Sequence, residues 1–304
     1  MVTFFDLPLE IILMIKTYLD PWDLRTVVCL YLADPRCAVL HDWETDPEAF
    51  WKTICWKNGL GRLPLDGGSE DGVWQDIALQ CIERDGFCKH PHCGDAMLEY
   101  NRERMRESAD CIEAFSAVHV TEDYDADVSF APNPVLFYID FRKSDECRDG
   151  KGQPIEDDAY LRWDNSSGSE KPNAGDARNR AYLGDHPITA RSFATATPVS
   201  NILLLNMIGW RRPKNETLKL QRPVTVYDLL GLLHEDSLDY DLTVRDVSNH
   251  VGGHLECFRR MGWGVYDTFE NLKTTREVLS VCPINSVEIV ERTESGLKVR
   301  FCLQ

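Results

Sequence analysis

The densest group of residues able to hold a metal is the run Cys88-Lys89-His90-Pro91-His92-Cys93-Gly94, with Cys81 upstream and Cys111 downstream. Zinc is bound by thiolate and imidazole, in structural sites by four ligands together. Two cysteines in a loop broken by proline and glycine can face one ion. Cys81, His90, His92 or Cys111 would then complete the set, so Cys81, Cys88, His90, His92 and Cys93 are the candidate ligands of a structural zinc. The C-x4-C spacing is wide for a zinc knuckle, and no second clean pair follows. The competing reading is a reduced loop with solvated histidines. A catalytic zinc would also need a carboxylate base placed by the spacing, and none is placed.

Other constellations fail on their chemistry. His250-Val251-Gly252-Gly253-His254 puts two histidines four apart, but the glycine pair weakens a helix and the glutamate of a zinc hydrolase is missing. His234-Glu235-Asp236, with Asp239 and Asp241, lacks the central glycine and closing glutamate of a calcium loop. There is no Gly-x-Ser-x-Gly elbow, and Gly150-Lys151-Gly152 is no phosphate loop. No catalytic residues are assigned, and the chain is expected not to be an enzyme.

The elements that would carry these residues come in two styles. Apolar positions at 50, 51, 54 and 55 predict a helix that ends at Asn58-Gly59. Val73 to Ile82 and Leu98 to His119 predict further amphipathic helices. Then the pattern changes. Val135 to Phe141 predicts a strand. Residues 145–184 are polar and rich in Gly, Ser, Asn and Asp, and predict a mobile insertion or linker with a short strand at Ala159 to Trp163. Strands are predicted at Ile188 to Ala196, Ile202 to Ile208 and Leu218 to Leu220. Thr225 is placed to cap a helix whose buried face carries Val226, Leu229, Leu230 and Leu233. Another helix is expected from Leu242 toward Arg260, and Val287 to Glu291 with Leu297 to Leu303 reads as a closing hairpin. The expected class is α+β, divided as 1–60, 61–120, 121–185 and 186–304.

The N-terminal stretch is the most specific. Pro8 suits the first position of one helix, with Glu10 in its first turn. Asp20, Pro21 and Asp23 repeat the device as N-cap, first position and first turn. Between them the first helix is apolar almost all round, at 9, 11–15, 18 and 19, more than a surface helix needs for its own domain. A partner protein covering the spare face is the economical explanation.

The residues Phe5-x-Leu7-Pro8-x-Glu10-Ile11, Ile15, Leu19, Asp20-Pro21-x-Asp23-Leu24 and Val27-Val28-Cys29 resemble an F-box. Asp46-Pro47-x-x-Phe50-Trp51-Lys52-x-x-Cys55 resembles the closing helix of that module. The likeness covers about a sixth of the chain. It departs from pattern at Leu32-Ala33-Asp34-Pro35-Arg36, where Pro35 must break the helix, so the third helix, around Arg36 to Trp51, is expected to be atypical. The resemblance implies docking on a Skp-type adaptor, and through it a cullin ubiquitin ligase, by way of Leu7, Pro8, Ile11, Ile15, Leu19, Pro21 and Leu24. Some of these must instead form the module's own core. The segments His186-Pro187-Ile188 and Pro223-Val224-Thr225-Val226-x-Asp228-Leu229-Leu230 also resemble an uncharacterised domain of mushroom-forming fungi, to which no chemistry attaches.

Composition bounds the rest. The 304 residues carry a formal net charge of −17 and are 43% hydrophobic, enough for a real core and too acidic to favour nucleic acid or an anionic membrane. No signal peptide or membrane span is read, so a cytoplasmic or nuclear protein is expected, with its eleven cysteines reduced. The expected function is a substrate receptor of a cullin ligase, with an unknown target held by the C-terminal region. The alternatives are a zinc-binding enzyme and an F-box scaffold that recruits no ligase.

Overall fold

Local signals start and stop the helices much as expected, with small displacements. The structure is a computed structural model that describes residues 6–20, 22–33, 46–64, 66, 73–89, 92–108, 130–141, 159–161, 181–183, 186–205, 216–236, 272–274, 277–278, 284–293 and 296–303. Helix α1 spans Leu9–Tyr18, with Pro8 as the residue before its first turn and Glu10 inside that turn. Helix α2 spans Leu24–Ala33. Its cap is Asp23, not Asp20: Asp23 Oδ1 accepts the Thr26 N–H at 3.2 Å, while Asp20 Oδ1 accepts the Trp22 N–H at 2.9 Å. Asp20 therefore closes the turn between the helices, and the helix begins four residues after it. Residues 34–45, most of the Arg36 to Trp51 region where an atypical third helix is expected, lie outside the described residues.

Helix α3, Pro47–Lys57, is capped by Asp46, whose side chain accepts the Ala49 N–H. Its end is set by Gly59, at φ 64°, which lets the Leu60 N–H reach back to the Cys55 carbonyl at 2.9 Å. Helices α4, Val73–Asp85, and α5, Gly94–Glu107, follow. Beyond α5 the predicted helix toward His119 lies outside the described residues. An aromatic seam ties these helices together. Tyr31 and Trp51 meet edge to face at 5.3 Å, Trp56 meets Trp74 at 6.4 Å, and Trp56 meets Phe193 of the C-terminal part at 6.2 Å.

The second part is mixed. A 3-10 turn, Pro134–Tyr138, leads into β1, Ile139–Phe141. The expected strand over Val135 to Phe141 is thus only three residues long. Pro134 and the Asn133 side chain, which accepts the Val135 N–H, wind the chain first. β1 pairs antiparallel with β2, Ala159–Leu161, and β2 with β3, Ala181–Tyr182. The rest of the polar 145–184 stretch lies outside the described residues, as does the helix expected from Leu242. A four-stranded sheet follows in the order β5-β4-β7-β6. β4 is Asn201–Leu204, β5 Glu216–Lys219, β6 Ile284–Thr293 and β7 Gly296–Leu303. β4 and β7 are parallel, and the other pairs antiparallel. Val287, Leu297, Val299 and Phe301 are buried, while Glu288, Val290 and Arg300 are exposed, the alternation of a half-exposed hairpin.

Residues 188–196, expected as a strand, form something else. Pro187 starts a short helix α6, Pro187–Arg191, and the chain then runs extended through Phe193 and Thr195. Every residue from Pro187 to Thr195 is buried. The segment bonds to three separate regions. Phe193 N–H donates to Gly59 O at 2.7 Å, Ala194 N–H to Val224 O at 2.9 Å, and Asn133 N–H to Ala194 O at 2.8 Å. A ladder to one neighbouring strand would make a sheet; bonds to three neighbours make a hub. One apolar core runs through this hub, from Leu24 and Trp51 in the helices to Val299 and Phe301 in the sheet. The fold is α+β, as expected.

Helix α7, Val226–Asp236, leaves the hub through a capping box. Thr225 Oγ1 accepts the Asp228 N–H at 3.2 Å, and Asp228 Oδ2 accepts the Thr225 N–H at 2.9 Å. Arg222 forks onto the same carboxylate, at 2.6 and 2.7 Å. Thr225→Ala is expected to cost about 1–2 kcal/mol, the upper range for a lost cap because this one is buried. A urea unfolding midpoint unchanged from wild type would reject that assignment.

Candidate functional site

Two places carry unusual chemistry. The first is the outer face of α1. Only Ile12 of this helix is fully buried, and it packs with Leu30 of α2 inside a ring of Leu7, Leu9, Leu13 and Leu19. Across the helix, Ile11, Met14 and Tyr18 are exposed at 36%, 50% and 84%. Their spacing of three and then four residues puts them on one face. Leu32 of α2 is another large exposed apolar residue, at 50%. Of the residues expected to dock, Pro8 and Ile11 are exposed, Ile15 is half-buried, and Leu7 and Leu19 belong to the ring around Ile12. Leu24 is fully buried in the main core, so it holds the module and is closed to a partner. Pro21 lies outside the described residues. Met14, Tyr18 and Leu32 were not among the sequence candidates. The cover of apolar residues on nearly every side of α1 hid which face was spare.

The turn between α1 and α2 is charged and self-paired. Arg106 of α5 donates to Asp20 at 2.5 Å. Two cations approach the Trp22 ring, Lys57 Nζ at 5.0 Å and the Arg106 guanidinium at 5.7 Å from its centre. These contacts hold the α1–α2 turn against α3 and α5.

The second place lies where α4 ends. Asp85 is the last residue of α4, Cys88 sits in the following turn, and Cys93 immediately precedes α5. The Cys88 and Cys93 sulfurs are 2.9 Å apart. His186, the residue before α6, brings its Nδ1 to 2.9 Å from Asp85 Oδ1. One ligand atom from each of Asp85, Cys88, Cys93 and His186 lies within 4.8 Å of all the others. The Asp85 and His186 side chains are 0% and 15% exposed, and Cys93 is buried. The remaining carboxylate oxygen, Asp85 Oδ2, accepts the Ile188 N–H at 3.2 Å. Burial drives the Cys93 thiol pKa far up, and the neighbouring Asp85 carboxylate and Cys88 sulfur push it the same way.

Of the sequence candidates, the structure brings Cys88 and Cys93 together and adds Asp85 and His186. Cys81 is buried in the helical core outside this group, where burial pushes its pKa to about 12. The His92 ring stacks on Tyr138, with centroids 3.5 Å apart, and its backbone carbonyl accepts the Thr189 hydroxyl. His90 lies outside the described residues. Asp85, three residues before Cys88, was within reach of a spacing argument. His186 was not, being 101 residues from Asp85 in the chain.

No helix among the described residues is long and apolar enough to cross a membrane. Comparison with family models, with characterised proteins and with solved structures gives no match for this chain.

Proposed function

We propose that the N-terminal helices form an F-box-type docking face for a Skp-type adaptor, and that the chain is a substrate receptor of a cullin ubiquitin ligase. The observation that carries the reading is the exposed apolar face of α1, Ile11, Met14 and Tyr18, on the segment whose sequence resembles an F-box. A helix face presenting anchors at this spacing fits a partner's hydrophobic groove, and aromatic anchors supply much of the energy of such contacts. The module does no covalent chemistry in this role. It holds a target near the ligase and so raises its effective concentration. The target would be taken up by the C-terminal part.

Adaptor pulldown tests this with side chains that the core does not use. Ile11→Asp and Tyr18→Ala are expected to lower recovery of adaptor at least about tenfold together, the loss of a hot-spot pair, with an unchanged circular dichroism spectrum. Equal recovery by wild type and variant, or by neither, rejects the docking face. Adaptor recovered without cullin would leave a scaffold in place of a ligase subunit.

A further inference from the structure

We propose that Asp85, Cys88, Cys93 and His186 form a structural zinc site that clamps the end of α4 to the buried hub. The four atoms are of the types zinc prefers, two thiols, an imidazole nitrogen and a carboxylate oxygen. In a tetrahedral zinc centre neighbouring ligand atoms stand about 3.3–3.8 Å apart, from bonds of about 2.0–2.3 Å. Here the atoms span 2.9 Å between the sulfurs to at most 4.8 Å, so small side-chain rotations close them around one ion.

The surroundings fit a metal better than they fit four uncharged groups. Asp85 is a fully buried carboxylate at the C-terminal end of a helix, where the helix dipole disfavours an anion. A divalent cation removes that penalty. Asp85 Oδ2 is held by the Ile188 N–H, which leaves Oδ1 to act as a single-oxygen ligand; metal-bound carboxylates are held in this way. Cys93 precedes the first turn of the fourteen-residue α5, whose positive end favours a thiolate. Zinc binding deprotonates both thiols and releases two protons to solvent.

A disulfide between Cys88 and Cys93 is the competing chemistry. It would use neither the carboxylate nor the imidazole, yet both converge on the sulfurs. Four protein ligands leave no open position for water, which makes the site structural and removes it from the catalytic class. Its mechanical effect is to tie residues 101 apart in the chain, joining the helical part to the residue that leads into the hub.

The test is zinc content and cobalt spectroscopy on the full chain, purified under reducing conditions without chelator. Wild type is expected to carry one zinc per chain. Cys88→Ser, Cys93→Ser and His186→Ala are expected to weaken zinc binding by about tenfold to a hundredfold or more, whereas Cys81→Ser and His92→Asn retain it. Cobalt-loaded wild type should show thiolate-to-metal charge transfer and the intense visible bands of a tetrahedral centre. This readout stands even where a ligand variant fails to fold. The proposal is overturned if wild type takes no zinc, if its mass shows the two-hydrogen loss of a Cys88–Cys93 disulfide in place of metal, if Cys93→Ser binds zinc as wild type does, or if the cobalt spectrum is the weak one of an octahedral ion.

Discussion

Replacing Asp66 with alanine is expected to destabilise the fold by about 3–5 kcal/mol, because it strands a buried guanidinium. Arg191, at the end of α6, forks onto Asp66, with Nη2 2.7 Å from Oδ1 and Nη1 paired to Oδ2. The two side chains are 5% and 12% exposed, so solvent does little to screen the pair or to rescue Arg191 alone. Its remaining contacts are long: Gln80 Oε1 at 3.3 Å and the Gly61 carbonyl at 3.5 Å. The double variant Asp66→Leu/Arg191→Met should recover much of the loss, since well-packed apolar groups can replace a buried pair at little cost. Urea unfolding of the three proteins measures both statements. A double variant no better than Asp66→Ala would show that the charge itself is needed.

The same pair has a pH signature. Burial alone would raise the Asp66 pKa; the hydrogen bonds from Arg191 and the Leu63 N–H, with the charges of Arg191 and Arg62, outweigh it and hold the carboxyl below its ordinary 3.8. A folded-state pKa below the unfolded one stabilises fully above the unfolded value and is lost as pH falls through the folded value. Wild type should therefore lose stability below pH 3.8, and Asp66→Ala should lose less over that interval.

What could be read in the chain beforehand was local. The start of α3 at Asp46-Pro47, its glycine end and the Thr225 cap each depend on a few adjacent residues, and each formed. The alternation of Val287 to Phe301 gave the hairpin for the same reason. The hub was not legible. Its residues Ile188 to Thr195 look like a strand because Ile188, Phe193 and two threonines favour one, but the partners that hold its extended end come from distant segments, at Gly59, Asn133 and Val224. No window of sequence holds that information. The candidate metal cluster divides along the same line. Cys88 and Cys93 were legible from spacing, and His186 became visible only when α6 packed against the end of α4. The face of α1 failed for a different reason: too many apolar residues satisfied every helical phase, so periodicity could not choose between the buried Ile12 and the exposed Tyr18.

The two candidate sites should respond differently to mutation. The α1 face is set by one helix and tolerates change around it, since its small core of Ile12 and Leu30 is separate from the main one. The cluster depends on contacts between distant segments. A substitution that shifts the α4–α5 turn should disturb the Asp85–Cys88–Cys93–His186 cluster and the fold together, while leaving the α1 face in place.

Gly94 is the residue where this coupling should be strongest. It follows Cys93, opens α5 and has φ 55°, a conformation that costs another residue about 1–2 kcal/mol. A Cβ there would stand 2.6 Å from both the Asp85 and Cys88 carbonyl oxygens, and backbone cannot step aside as a side chain can. With about 1–3 kcal/mol more for the overpacking, Gly94→Ala is expected to lose about 2–5 kcal/mol. Gly59 supplies the comparison. Its φ of 64° carries the same backbone cost, but the atoms nearest its Cβ would belong to the Asn101 side chain, the first at 3.0 Å. Gly59→Ala should therefore lose less and keep its zinc, while Gly94→Ala loses both stability and zinc, because the atoms it pushes on belong to two of the four ligands. Unfolding midpoints with zinc analysis on both proteins decide the matter. Equal losses, or a Gly94→Ala protein with undiminished zinc, would mean that the turn yields without moving Asp85 and Cys88, and that the clamp does not depend on this close approach.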